Sequence, residues 1–263
     1  MSTPSNVARH PAAAHLVENV IAVASGKGGV GKTWFSITLA HALAARGRRL
    51  LLFDGDLGLA NIDVQLGLMP KYDISAVIAG KVTFADAVQW FEDGGFDILP
   101  GRSGSGSLAA LPPDRLKSLR DGLIALAARY DKVVLDLAAG LDENLRLLAG
   151  MSGTCLVLVT DEPTALTDAY ALIKVLTAAG HGRRVKVVVN QAASQAEGER
   201  THATLVKACE TFLKIAPPLA GVVRRDDRVR DAIRRQVSVF SRSPTSDSVA
   251  DVARIAATLA DNT

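Results

Sequence analysis

The chain has 263 residues, 48% hydrophobic and 22% charged, enough for one large α/β domain or two small ones around a substantial core. Its formal net charge of +3 neither demands nor forbids a polyanionic partner. Two cysteines, Cys155 and Cys209, with no CxxC and no histidine at metal-ligand spacing, exclude a locally built zinc site and read as buried thiols in a reducing compartment.

Residues 1–18 are rich in Pro, Ala and Ser and read as a flexible N-terminal arm without the apolar core of a signal peptide. No run reaches the ~18 apolar residues of a membrane span, so a cytoplasmic protein is expected. From 19 to 263 short apolar runs, often β-branched, alternate with helix-period segments. In chain order the pattern predicts a strand at 20–24, a helix at 33–45 stopped by Gly47, and strands at 49–53 and 96–99. A helix at 113–128, strands at 132–135 and 154–159, and a helix at 163–178 stopped by Gly180 or Gly182 come next. A strand at 185–189, a helix at 199–212, a strand at 219–223 and a helical segment at 247–260 complete the set. The alternation implies right-handed crossovers and a single doubly wound α/β domain, with a mainly parallel sheet and helices on both faces. GRSGSGS, 101–107, reads as the most flexible loop, too short to separate domains.

GKGGVGKT, residues 26–33, satisfies GxxxxGK[ST] between a predicted strand and a predicted helix, the context of a phosphate loop. Its glycines let backbone N–H groups turn inward around a phosphate, and the following helix adds the positive end of its dipole. Gly26, Lys27, Gly28, Gly29, Val30, Gly31, Lys32, Thr33 and Trp34 are therefore the expected nucleotide-binding stretch. Lys32 is placed to reach the β- and γ-phosphates, and the Thr33 hydroxyl to ligate Mg²⁺. Two more predicted strands deliver acids at their carboxyl ends, Asp54 with Asp56 and Asp136, where α/β sheets bind ligands. Asp136 is the candidate metal holder, through water, and Asp54 or Asp56 can orient an attacking water. The competing role for such aspartates is to cap the next turn or helix. A guanine-reading NKxD is missing. Asn190, after a strand, can bond an adenine amino group, which favours ATP, or it can simply close a turn.

One lysine suffices for a phosphate loop, yet this loop has two. KGGVGKT, with its added Lys27, resembles the deviant Walker A of the MinD/ParA ATPases, a SIMIBI-type group of P-loop NTPases. The resemblance implies that Lys27 crosses a dimer interface to the partner's nucleotide, where a second cation neutralises phosphate charge as an arginine finger does. Residues 54–68, DGDLGLANIDVQLGL, resemble the first switch of MinD and especially of the FlhG/FleN branch. DLAAG, 136–140, is similar to the second switch, and EPTALTDAYALIK, 162–174, and VRRDDRVRDAIRRQ, 223–236, to later stretches of that branch. The likeness covers about 20–244 and implies an ATP-dependent homodimer that regulates flagellar number and placement together with a flagellar or polar regulatory protein. It further implies that Asp56 positions the hydrolytic water, that Lys27 and Lys32 act on the phosphates, and that Thr33, Asp54 and Asp136 serve Mg²⁺. Asn190 with Val223 and Arg224 would hold adenine.

Residues 1–19 hold nothing like the DQAxxLR helix that stimulates a flagellar GTPase in that branch. The 247–260 segment has Val249, Val252, Ile255, Ala256 and Leu259 on one face and Asp247, Asp251 and Arg254 on the other. Membrane-surface helices carry several Lys or Arg, so this one is expected to pack on the domain. The arginines between 224 and 235 support a different reading, a ParA-like cargo positioner that grips DNA, although Asp226, Asp227 and Asp231 interleave with them.

Overall fold

A computed structural model of the chain describes residues 17–101 and 112–260. Of the expected N-terminal arm only Val17 and Glu18 fall inside it, and of the GRSGSGS loop only Gly101. Eight strands make one sheet: β1 (Val17–Ser25), β2 (Leu50–Gly55), β3 (Gln89–Phe91), β4 (Phe96–Leu99), β5 (Lys132–Ala139), β6 (Ser152–Val159), β7 (Val185–Ala192) and β8 (Leu219–Arg224). Their order is β3-β4-β2-β5-β1-β6-β7-β8, and every pairing is parallel except that of the short edge strand β3 with β4. The central strands are nearly continuous apolar runs, broken by Lys132 at the start of β5 and by Asp54 and Asp136 toward the carboxyl ends, because a parallel sheet is covered on both faces. Val20, Ala22, Val134, Leu135, Leu156 and Val157 are all fully buried.

The longer helices are α1 (Lys32–Ala44), α5 (Pro113–Ala127), α6 (Glu143–Met151), α7 (Pro163–Ala178), α8 (Gln195–Leu213), α9 (Asp227–Arg234) and α11 (Asp247–Ala260). Short turns of helix lie between them: α2 (Ile62–Leu66), α3 (Ile74–Ile78), α4 (Phe84–Ala87) and α10 (Val239–Arg242). Helices α1 and α11 pack together over one face of the sheet, whereas α5 to α8 form a row against the other. Helix α1 is buried on every side from Trp34 to Leu43, as expected of a helix between a sheet and a second helix layer. Helix α11 packs on the domain, with Val249, Val252, Ile255, Ala256 and Leu259 buried against α1 and β8. Asp251 departs from the expected polar face. It is buried and accepts from the Arg224 backbone N–H and guanidinium, both 2.9 Å away, so it ties α11 to β8. Among the described residues no helix is long and apolar enough to cross a membrane.

From β1 the chain crosses over β5 to reach β2, and from β5 it crosses over β1 to reach β6. These opposed crossovers open a crevice at the carboxyl ends of β1 and β5, the position where open α/β sheets bind ligands.

Candidate nucleotide-binding site

The loop 26–31 leaves β1 at Ser25 and turns into α1 at Lys32. Two of its glycines are forced by what lies against them. A Cβ on Gly26 would come within 2.1 Å of the Asp168 carbonyl oxygen on α7. Gly31 has φ +89°, and a Cβ there would stand 2.6 Å from Asn190 Nδ2. Helix α7 and the end of β7 therefore clamp the loop from two sides, whereas the space above Gly28 and Gly29 is open, as a phosphate cradle requires. That space belongs to a cavity of about 840 Å³ lined by Lys32, Thr33, Trp34, Asp56 and Asp142 among others. Its size suits a nucleoside triphosphate.

The ammonium of Lys32 is held below its usual pKa by burial, which the Asp136 and Asp56 carboxylates partly offset. Asp136 is buried and accepts the Ser36 hydroxyl at 2.9 Å, with the Thr33 hydroxyl also bonded to it. In the β2–β5 register Asp54 stands directly opposite Asp136. Asp54 is 0% exposed and accepts the backbone N–H groups of Asn61 and Ile62, each at 2.9 Å, and of Asp56 at 3.3 Å. Burial pushes both carboxyls up, and their proximity adds to the rise at Asp54. The donor set of a hydroxyl and hard carboxylate oxygens beside an open phosphate cradle fits Mg²⁺. Asp54 fixes the 56–62 loop from behind, and Asp56, whose Oδ1 accepts the N–H of Leu59 at 2.9 Å, lines the cavity itself.

Lys27 does not point toward Lys32. Its Nζ donates to Glu162 Oε2 at 2.5 Å and to Thr164 Oγ1 at 2.9 Å, both at the start of α7. The pair is solvent-exposed, so it is worth only about 0–1 kcal/mol and gives way readily to a stronger anion.

A second groove of about 420 Å³ adjoins the cavity, with Trp34 lining both. Asn190 and Gln191 form one side, and Arg225, Asp227 and Arg230 the other. Asn190 donates its amide to the Val30 carbonyl at 2.7 Å, which leaves its side-chain oxygen as the acceptor an adenine amino group needs. Beside this groove the Trp34 indole N–H is buried, with no partner among the described residues. Arg224 also lines it, but its guanidinium is bound to Asp251 and Asp247, and Val223 is fully buried in the core. Within α9, Asp231 is paired with Arg235 and Arg242.

The sequence pattern assigns no role to Glu162, Thr164, Ser36 or Gln191, and it reads Arg225 only as one of the arginines of a DNA grip. Ser36 was within reach of it, lying one helical turn beyond Thr33 on the same face of α1. The Lys27–Glu162 contact spans 135 positions and leaves no local trace.

A sequence profile of the CobQ/CobB/MinD/ParA nucleotide binding domain matches residues 21–239. The chain is 42% identical over 227 residues to the antiactivator FleN of Pseudomonas aeruginosa, covering 86% of this chain and 81% of that protein. It is 31% identical over 191 residues to the flagellum site-determining protein YlxH of Helicobacter pylori, covering 72% and 64%. Among solved structures, the cell division ATPase MinD of Pyrococcus furiosus superposes with a TM-score of 0.77 at 25% identity, over 92% of this chain and 98% of that one. MinD of Pyrococcus horikoshii, complexed with Mg-ADP, superposes with a TM-score of 0.77 at 24% identity, over 91% and 95%. The chain belongs to the CobQ/CobB/MinD/ParA nucleotide-binding family, among its MinD/ParA-type ATPases and in the FlhG/FleN branch.

Proposed function

We propose that the chain is an ATP-dependent dimerising switch that sets the number or placement of flagella. The observation that carries the reading is Lys27, a second loop lysine turned away from its own phosphate cradle and held by a surface pair. In this reading two copies close face to face, and each Lys27 leaves Glu162 for the other copy's phosphates. Lys32 and the loop N–H groups bind the β- and γ-phosphates. Thr33 and Asp136 would hold Mg²⁺, whose positive charge would be supplied beside the phosphates where negative charge builds, with Asp54 steadying the adjoining loop. Asp56 orients the attacking water. The Asn190 oxygen reads the adenine amino group, with Arg224 at the groove wall and Val223 supporting it from the core. Loss of the γ-phosphate removes the contacts that join the 56–62 loop to the nucleotide and the two copies part, a nucleotide-controlled switch. The output is a choice of regulatory partner in the cytoplasm.

Light scattering with a non-hydrolysable ATP analogue tests the switch. The wild type is expected to be dimeric with the analogue and monomeric with ADP, and Lys27→Ala monomeric with both. A Lys27→Ala protein that dimerises like its parent removes the trans role. The flagellar assignment is supported by the likeness to FleN and YlxH and is tested by counting flagella in a deletion strain. Unchanged number and position would reject it.

A further inference from the structure

The phosphate loop and its acids lie at the carboxyl ends of the strands. The amino ends carry another groove, of about 300 Å³, where β2 and β4 begin beside the edge strand β3. Arg48, Arg49, Trp90, Asp97 and Tyr130 line it. Trp90 is 60% exposed. Its indole N–H donates to Glu92 Oε2 at 3.1 Å, which holds the ring by one edge and leaves it open to a flat partner.

The cations around this ring are uncompensated. The Arg49 guanidinium lies 5.9 Å from the centroid of the Tyr130 ring, and the charge of Arg129 also reaches the Tyr130 phenol. Among the described residues no carboxylate lies within 4.0 Å of Arg48, Arg49 or Arg129. The neighbouring acids are engaged otherwise: Asp131 accepts the Arg49 backbone N–H at 2.8 Å, and Asp97 accepts the Tyr130 hydroxyl at 2.9 Å. Arg48 donates to the Ala260 carbonyl at 3.3 Å, a neutral partner. Lys132, at the start of β5, is pushed below its usual pKa first by burial and then by the like charge of Arg48. An anion placed among these groups would relieve their mutual repulsion.

A nucleotide offers both complements, a planar base for the indole and a phosphate for the guanidinium forks. A long strand running past Trp90 would meet the exposed acids Glu92 and Asp93, and an anionic bilayer would be repelled by the same pair. The groove's volume suits a single small ligand. We propose that this groove binds a free mononucleotide, its base stacked on Trp90 and its phosphate held by Arg48, Arg49 and Arg129. The site is separate from the phosphate loop and does not rest on the switch reading above.

The chain has two tryptophans, and each reports its own site. In ¹H–¹⁵N spectra of the full chain the Trp34 indole peak reports the phosphate-loop cavity. The Trp90 peak, identified by its loss in Trp90→Phe, reports the groove. UMP, GMP and AMP, which lack the γ-phosphate and β-phosphate that Lys32 reaches, are expected to shift the Trp90 peak saturably. Uridine, without the phosphate, and ribose 5-phosphate, without the base, should each bind about tenfold more weakly or worse. These two arms need no variant. Arg49→Glu with Arg129→Glu should weaken UMP by about tenfold or more. Both positions are exposed, so the melting temperature and ATP turnover of the double variant should match the wild type. An unmoved Trp90 peak, one moved equally by uridine or ribose 5-phosphate, or a UMP affinity indifferent to the double variant would overturn the proposal. A short oligothymidylate that shifts the Trp90 peak where UMP does not would assign the groove to a nucleic-acid strand. Phosphatidylserine vesicles that do so would assign it to a membrane, and either result overturns the proposal equally.

Discussion

His41 is buried in the last turn of α1, and its Nε2 has no partner among the described residues. Its ring stacks on Phe240 at 5.2 Å and meets Phe96 edge-on at 5.1 Å, with Phe91 at 5.8 Å. A helix C-terminus favours a cationic histidine, but burial here outweighs the dipole and lowers the pKa from 6.5 to about 4. Above pH 6.5 the ring is neutral in folded and unfolded chain alike, and no stability is lost. As the pH falls from 6.5 toward 4, the unfolded chain takes up a proton that the folded one refuses, so stability declines. At pH 5 the loss is about 2 kcal/mol, at 1.36 kcal/mol per unit. His41→Met keeps a helix-compatible apolar filler and removes the titration. Urea denaturation at pH 7 and pH 5 should show the wild type losing that amount relative to the variant. Parallel losses in both proteins would mean that His41 does not titrate in this window.

At the level of elements, Asp251 joins α11, β8 and α8. Besides Arg224 it accepts from Gln195 Nε2 at 3.3 Å and from Arg254. Asp251→Ala would leave the part-buried Arg224 backbone N–H and the Gln195 amide without this acceptor and is expected to cost about 1–3 kcal/mol in denaturant titration. A loss below about 1 kcal/mol would make the carboxylate dispensable. Asp251 also shows where pattern reading stops. Helical spacing placed it with the polar residues of 247–260, but a polar residue can be buried when a neighbouring element supplies donors, and those donors come from distant chain segments. The predicted strands were legible because strands covered on both faces are nearly continuous apolar runs. Their ends were not: β1 runs on to Ser25 and β7 to Ala192, since the last residues are polar and belong to the site. Helix α8 begins at Gln195, four residues before the apolar period emerges, because Ser194 caps the Glu197 N–H. Three-residue β3 is too short to display a period, and nine-residue α6, despite its Asp142 cap and Leu145–Leu148 spacing, spans too few turns to stand out between two strands. The phosphate loop and its acids were readable because motif and strand end are local. Glu162 and Thr164 were not, because only the packing of α7 against Gly26 brings them to Lys27.

The whole molecule gathers its chemistry at one end of the sheet and leaves apolar side chains there uncovered. Leu59, on the loop that Asp54 and Asp56 hold, is 66% exposed, and Leu141 and Ile233 are exposed near the same cavity. In a single copy these side chains face water, so changing one should alter monomer stability by no more than about 0.5 kcal/mol. If two copies close over the nucleotide, symmetry buries Leu59 twice, and each burial contributes about 1.5–3 kcal/mol. Leu59→Asp would forfeit both and set two like charges against each other, so the dimer should weaken by about 3 kcal/mol or more, roughly a hundredfold in dissociation constant. Sedimentation with a non-hydrolysable ATP analogue is expected to show Leu59→Asp monomeric where the wild type is dimeric, with the melting temperatures of the ADP-bound proteins alike. A variant that dimerises as tightly as its parent would place the contact face elsewhere, because an aspartate could not be desolvated at the centre of this one without a measurable penalty.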